Sequence, residues 1–180
     1  MAPTAPPVIR VARPEDAPGL AKALDAVAAE RRFLAVTSGF DHHATLGFIH
    51  ANIAQHNPHL VAVTHPGGQI VGWCDIVPAH PWDGARHVGR LGMGLLPPWR
   101  GRGLGTQLLR TALVACTPRR FHRVELEVFA TNQRAIRLYE RAGFRHEGRA
   151  VAACILDGRI EDILHMALLL GPLAPRQLAA

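Results

Sequence analysis

Tyrosine and lysine each occur once in this chain of 180 residues, as Tyr139 and Lys22, and cysteine three times, at 74, 116 and 154. Three scattered thiols exclude a disulfide framework and offer no zinc-ligand spacing, so no metal is expected, and a reducing, cytoplasmic setting is. Each cysteine lies in an apolar stretch ("GWCDI", "LVACT", "AACIL"), which favours an inert thiol over an activated thiolate. The longest apolar run, "ILHMALLL", falls far short of the roughly 20 residues that cross a bilayer. The opening "MAPTAPPVIR" lacks the apolar core of a signal peptide, and residues 1–7 read as a flexible leader. Basic and aromatic residues are not interleaved and no helix shows a basic face, which speaks against a nucleic-acid partner.

What the chain does have is a net charge of +6, carried almost wholly by arginine. That balance suits an anionic partner such as a phosphorylated cofactor. The length fits one domain, here residues 8–170, followed by a tail over 171–180. Apolar alternation and turn residues predict strands at 8–12, 59–64, 69–77, 86–96, 123–129, 145–155 and 160–169. Helices are expected at 13–32, 41–57, 104–116 and 132–143. "HPGG" (65–68) reads as a hairpin turn and 79–85 as a loop. The order is β-α-α-β-β-β-α-β-α-β-β: an α/β fold around one central sheet.

"PPWRGRGLGTQLL" (97–109) joins the fourth strand to the third helix. The first amides of a helix have no internal acceptor and carry partial positive charge. Glycines at 101, 103 and 105 let a phosphate approach that backbone, while Arg100 and Arg102 add charge. The stretch lacks the Lys-Ser/Thr ending of a P-loop and the full spacing of a dinucleotide turn.

Downstream lies "NQRAIRLYERAGF" (132–144). Together the two stretches resemble the GCN5-related N-acetyltransferase (GNAT) family. Arg100, Gly103 and Gly105 fit its Arg/Gln-x-x-Gly-x-Gly/Ala motif. Asn132, Ala135, Tyr139, Glu140, Arg141, Gly143 and Phe144 fit its second motif. The tail "GFRHEGRAVAACILDGRIEDILHMAL" is similar to a bacterial branch that acetylates amino acids, polyamines or ribosomal-protein N-termini. The resemblance implies a mixed, mostly antiparallel twisted sheet of about seven strands with about four helices. It also implies acetyl-CoA as co-substrate, bound by Leu95, Leu96, Arg100, Gly101, Arg102, Gly103, Leu104, Gly105, Thr106 and Asn132. Relatives commonly pair through terminal strands, so a homodimer is expected.

Acetyl transfer to an amine needs a base for the ammonium, donors for the oxyanion and an acid for the departing thiolate. The resemblance makes Tyr139 the acid. His87, ahead of the glycine-interrupted strand, is the first choice for the base, since imidazole titrates near neutrality. Glu125 and Glu127, alternating to one strand face, are further candidates, and the base stays open. A backbone amide near Leu95 is the expected oxyanion donor. Glu30, Arg31, Phe33, Trp73 and Asp75 are taken to shape the acceptor site, with His80 and Trp82 nearby. Mixed charge there leans toward an amino-acid-like amine over a polyamine. Direct attack in a ternary complex is preferred to a cysteine acyl-enzyme. A protein N-terminal acetyltransferase and a non-catalytic CoA-binding regulator stay open as alternatives.

Overall fold

In the computed structural model, which describes residues 5–38, 41–116 and 121–174, seven strands form one sheet. They are β1 (Val8–Val11), β2 (His59–Val63), β3 (Ile70–Pro78), β4 (Val88–Leu95), β5 (Arg123–Phe129), β6 (Arg145–Leu156) and β7 (Arg159–Leu169). The helices are α1 (Ala17–Ala28), α2 (His42–Ala54), α3 (Leu104–Cys116) and α4 (Gln133–Arg141). Element order and types match the sequence reading. Residues 1–4 of the expected leader and 175–180 of the expected tail lie outside the described residues.

The first two helices are shorter than expected, for identifiable reasons. Pro18 cannot continue an α-helical ladder back through Pro14, so Pro14–Asp16 forms a 3-10 turn and α1 starts at Ala17. Its C-terminal side is closed by Arg31, at φ +54°. Asp41 caps α2 by accepting from Ala44 N at 2.8 Å, and His56, at φ +56°, prevents its extension. The expected loop at 79–85 includes a 3-10 turn at Asp83–Ala85.

Strand order is β1-β2-β3-β4-β5-β7-β6, and every neighbouring pair is antiparallel except β4–β5. One face carries α1 and α2, whose Leu20 and Ile49 cluster with Val61, Ile70 and Trp73. The other carries α3 and α4, whose Leu108 and Ile136 cluster with Cys74, Ile76, Val124 and Leu126. The parallel pair decides the function of the sheet. β4 and β5 are register partners only at Val88–Arg123, Gly89–Val124 and Arg90–Glu125. Beyond Arg90 the two strands part, leaving a fork that opens toward α3 and α4.

Candidate active site

The fork leaves backbone groups without partners. In β4, the even residues bond to β3: Val88 O accepts from Ala79 N at 3.0 Å and Leu96 N donates to Val71 O at 2.9 Å. Alternation therefore turns the polar groups of Leu91, Met93 and Leu95 toward β5, which is no longer there to meet them. Paired edges of this kind are nearly universal in protein interiors, so an open one calls for a ligand with matching amides. The expected donor at Leu95 has its N–H in this gap. Leu96 does not, because its N–H serves Val71 and its carbonyl accepts from Trp99 N.

At the mouth of the fork stands the glycine turn. Gly101 and Gly103 adopt φ +74° and +83°, conformations that strain any side chain. The amides of Gly103, Leu104, Gly105 and Thr106 have no backbone acceptor among the described residues. Gly105 is pressed between strand and helix: a Cβ there would meet Leu95 Cδ1 at 3.4 Å and Leu138 Cδ2 at 3.5 Å. The result is an unobstructed, positively polarised row of N–H groups at the start of α3.

Arg100 does not point its guanidinium into that turn. It is bidentate with Glu30 and donates Nε–H to Leu95 O at 2.8 Å, with its Cζ 4.8 Å from the Phe33 ring centroid. Its own amide bonds Pro97 O at 3.2 Å. Arg100 thus ties the end of β4 to the chain after α1. A further cation reaches the turn, one that sequence reasoning missed. Arg134, inside the second motif, places its Nη2 where a Cβ of Gly101 would be 3.2 Å away. Its position within "NQRAIRLYE" was the available signal. Arg102 stays exposed, 6.0 Å from the Trp99 ring.

Asn132 caps α4, its Oδ1 accepting from Ala135 N at 3.2 Å. Tyr139, one face further along α4, is 7% exposed and packs on Phe144 and in the cluster that includes Cys74. Burial first, then the Cys74 thiol, raises its pKa above the usual phenol value, so it is protonated at neutral pH. Burial also pushes Cys74 up, with smaller contributions from Asp75 and Cys116, and pushes Cys116 to about 12. Neither is a ready thiolate.

The residue after Cys74 faces the other side of the sheet. Asp75, opposite Gly92 in the β3–β4 register, is 9% exposed and accepts no hydrogen bond among the described residues. Desolvation lifts its carboxyl to about 7. On the same face, in the last β4–β5 pair, Glu125 lies 3.4 Å from His80, 3.6 Å from Arg90 and 3.7 Å from Arg123. A cleft of about 230 Å³ runs between these residues, Glu127 and His165.

The remaining expected acceptor residues are drawn into structure. Arg31 is bidentate with Asp157 at the β6–β7 turn, Glu30 and Phe33 hold Arg100, and Trp73 is buried under α1 with its ring over Gly94. His87 lies at the closed end of the β4–β5 pair, its carbonyl accepting from His122 N and Arg123 N. At about 3.3 Å per residue, it stands some 16 Å along the strand from Gly92.

The profile of the Acetyltransferase (GNAT) family matches residues 21–144. The chain belongs to the GNAT family. It is 33% identical over 82 residues to the L-amino acid N-acetyltransferase AaaT of Escherichia coli (strain K12), a match covering 45% of this chain and 51% of that protein. The chain thus spans about half the length of that relative. The L-methionine sulfoximine/L-methionine sulfone acetyltransferase of Pseudomonas paraeruginosa is 28% identical over 122 residues, 68% of this chain and 70% of its own. A GNAT phosphinothricin acetyltransferase from Sinorhizobium meliloti, solved in complex with acetyl-CoA, superposes with a TM-score of 0.86. That match covers 92% of this chain and 89% of the other at 19% identity, a likeness of fold. In this GNAT chain the two motifs flank the fork, the glycine turn on β4's side and Asn132 with Tyr139 on β5's.

Proposed function

We propose that this GNAT protein transfers an acetyl group from acetyl-CoA to the primary amine of a small, amino-acid-like acceptor by direct attack in a ternary complex. The observation that carries the reading is the placement of Asp75 and Tyr139. They project to opposite faces of the sheet beside the fork, Asp75 next to Cys74 in sequence and Tyr139 next to it in space.

Acetyl-CoA is the co-substrate that fits this site, with its pyrophosphate on the amides of Gly103 to Thr106 and the guanidinium of Arg134. Its pantetheine amides match the open backbone of Met93 in the fork. The thioester supplies an acetyl group made electrophilic by a good leaving group. Asp75, with a carboxyl poised near neutrality, binds the acceptor ammonium and takes its proton, so we assign the base there in preference to His87. The Leu95 amide is aimed at the developing oxyanion. Tyr139, protonated and buried on the other face, donates to the departing sulfur.

The acceptor reading rests on Arg90. It lies two residues from Gly92 on the Asp75 face, roughly 7 Å along β4, with 51% of its side chain exposed. A carboxylate held there leaves the α-amino group of the same molecule at Asp75. The test is release of CoA thiol from acetyl-CoA across L-amino acids, polyamines and short peptides. Release with free amino acids and not with polyamines is the expected result. Release with polyamines alone, or none despite measured CoA binding, would overturn it.

A further inference from the structure

The chain that follows Leu95 has few donors to offer its carbonyl. Pro97 and Pro98 carry no N–H. Trp99 N donates to Leu96 O at 3.0 Å, and Arg100 N donates to Pro97 O at 3.2 Å. Strand β5, which would supply an amide on that side, has already parted from β4. The 3-10 turn at Pro97–Trp99 instead folds Arg100 back along the strand, and its Nε–H donates to Leu95 O at 2.8 Å.

That bond completes a clamp on the peptide between Leu95 and Leu96. On one edge Leu96 N donates to Val71 O of β3 at 2.9 Å, and on the other Leu95 O accepts from Arg100. The preceding peptide is held by β3 as well, since Gly94 is the register partner of Trp73 and alternation turns it the same way as Leu96. Met93 offers the fork both an N–H and a carbonyl. Leu95, with its carbonyl taken, offers a donor alone, the polarity that an oxyanion requires.

Arg100 is held in turn on its far side. Nη1 donates to Glu30 Oε2 at 2.7 Å and Nη2 donates to Oε1, while Cζ lies 4.8 Å from the Phe33 ring centroid. A planar guanidinium with two edges engaged and one face stacked has little freedom. The two edges have separate roles: the Nη pair satisfies Glu30, and Nε serves Leu95.

We infer that Arg100 is a positioning residue for the oxyanion donor, its Nε–H fixing the end of β4 so that the Leu95 amide faces the thioester carbonyl. This rests on acetyl-CoA being the co-substrate of the fork. Substitution separates the two edges. In Arg100→Gln the amide nitrogen stands as many bonds from the backbone as Nε does, so it can still donate to Leu95 O while Glu30 loses its cation. In Arg100→Lys a methylene replaces Nε, and the ammonium beyond it keeps a charge for Glu30.

The measurement is isotope-edited infrared spectroscopy of bound acetyl-CoA carrying ¹³C at its carbonyl, without an acceptor amine. A donor aimed at that oxygen polarises the bond and lowers its stretching frequency. The wild type and Arg100→Gln should show a stretch below that of acetyl-CoA in buffer, and Arg100→Lys one returned toward the free value. With an acceptor present, kcat in Arg100→Lys should be about 10- to 100-fold lower, with the KM for acetyl-CoA within about twofold of wild type. Stability to urea should run the other way, lower in Arg100→Gln than in Arg100→Lys. Equal stretches in all three proteins, or a stretch and kcat that follow stability, would overturn the inference. If Arg100→Lys does not fold, Arg100→Gln decides: a stretch at the free value there overturns it. A lowered stretch in the predicted pattern with no thiol release to any amine would defeat the transferase reading and leave the role of Arg100 standing. A wild type that binds no acetyl-CoA would defeat both.

Discussion

A Cβ on Gly92 would lie 3.2 Å from Asp75 Oδ1 and 3.3 Å from Oδ2. Gly92 is thus the space in which the carboxyl sits. Its φ is not one that demands glycine, so a methyl group there acts mainly by displacing Asp75. For Gly92→Ala we expect kcat to fall by about 10- to 100-fold, the loss typical of a misplaced base. The KM for acetyl-CoA should stay within about twofold, because the glycine turn and the fork amides are untouched. Steady-state kinetics at saturating acceptor check this, and an unchanged kcat would remove Asp75 from the chemistry.

The same carboxyl makes stability depend on pH in a direction that can be worked out. With a folded pKa of about 7, Asp75 stays protonated where the unfolded chain has already ionised. Its contribution therefore falls as pH rises from about 4 to about 7. His59, at about 4 when folded, does the reverse, adding stability as pH rises from about 4 to about 6.5. Asp75→Asn removes the first contribution only. Its stability relative to the wild type should rise across that window, by up to roughly 2–4 kcal/mol. Urea denaturation at several pH values between 4.5 and 7.5 measures the difference, and parallel curves would contradict it.

Arg100 and Glu30, 70 residues apart, join the end of β4 to the segment after α1. Both are half-buried, with side-chain exposures of 17% and 23%. Removing either leaves the other charge poorly paired, so Arg100→Gln and Glu30→Gln should each cost about 1–3 kcal/mol. A double-mutant cycle should show a coupling of at least about 1 kcal/mol. Binding of CoA, followed calorimetrically, should weaken less in Arg100→Gln than in Arg134→Gln, since of the two arginines it is Arg134 that brings its guanidinium to the turn.

The contrast between those two arginines shows what the sequence can carry. The glycine turn, the seven strands and the four helices were readable because each depends on local spacing: "RGRGLG" between a strand and an apolar helix, alternation in "RVELEV", a proline and an aspartate at the helix starts. The partner of Arg100 was not readable, because it lies in a loop brought near by the sheet. His87 and Asp75 raise the same difficulty. A histidine ahead of the right strand is conspicuous in sequence, yet the register puts it at the closed end of β4. Asp75 gains its perturbed carboxyl from burial opposite Gly92 and beside His59, relationships set by strand pairing with residues far along the chain on either side.

Tyr139 offers the cleanest separation of chemistry from structure. Its ring fills a buried position in the cluster below α4, and its hydroxyl makes no hydrogen bond among the described residues. Tyr139→Phe keeps the ring and removes only the hydroxyl, so the melting temperature should stay within about 2 °C or rise, because no hydrogen bond is lost. If the hydroxyl protonates the departing sulfur, kcat should fall by about 10²–10³-fold, the usual range for loss of a general acid. A co-substrate with a better leaving thiolate needs that proton less. The variant should therefore recover part of its rate with an acetyl donor whose thiol is more acidic than that of CoA. Full activity in Tyr139→Phe, or an equal defect with both donors, would confine Tyr139 to packing.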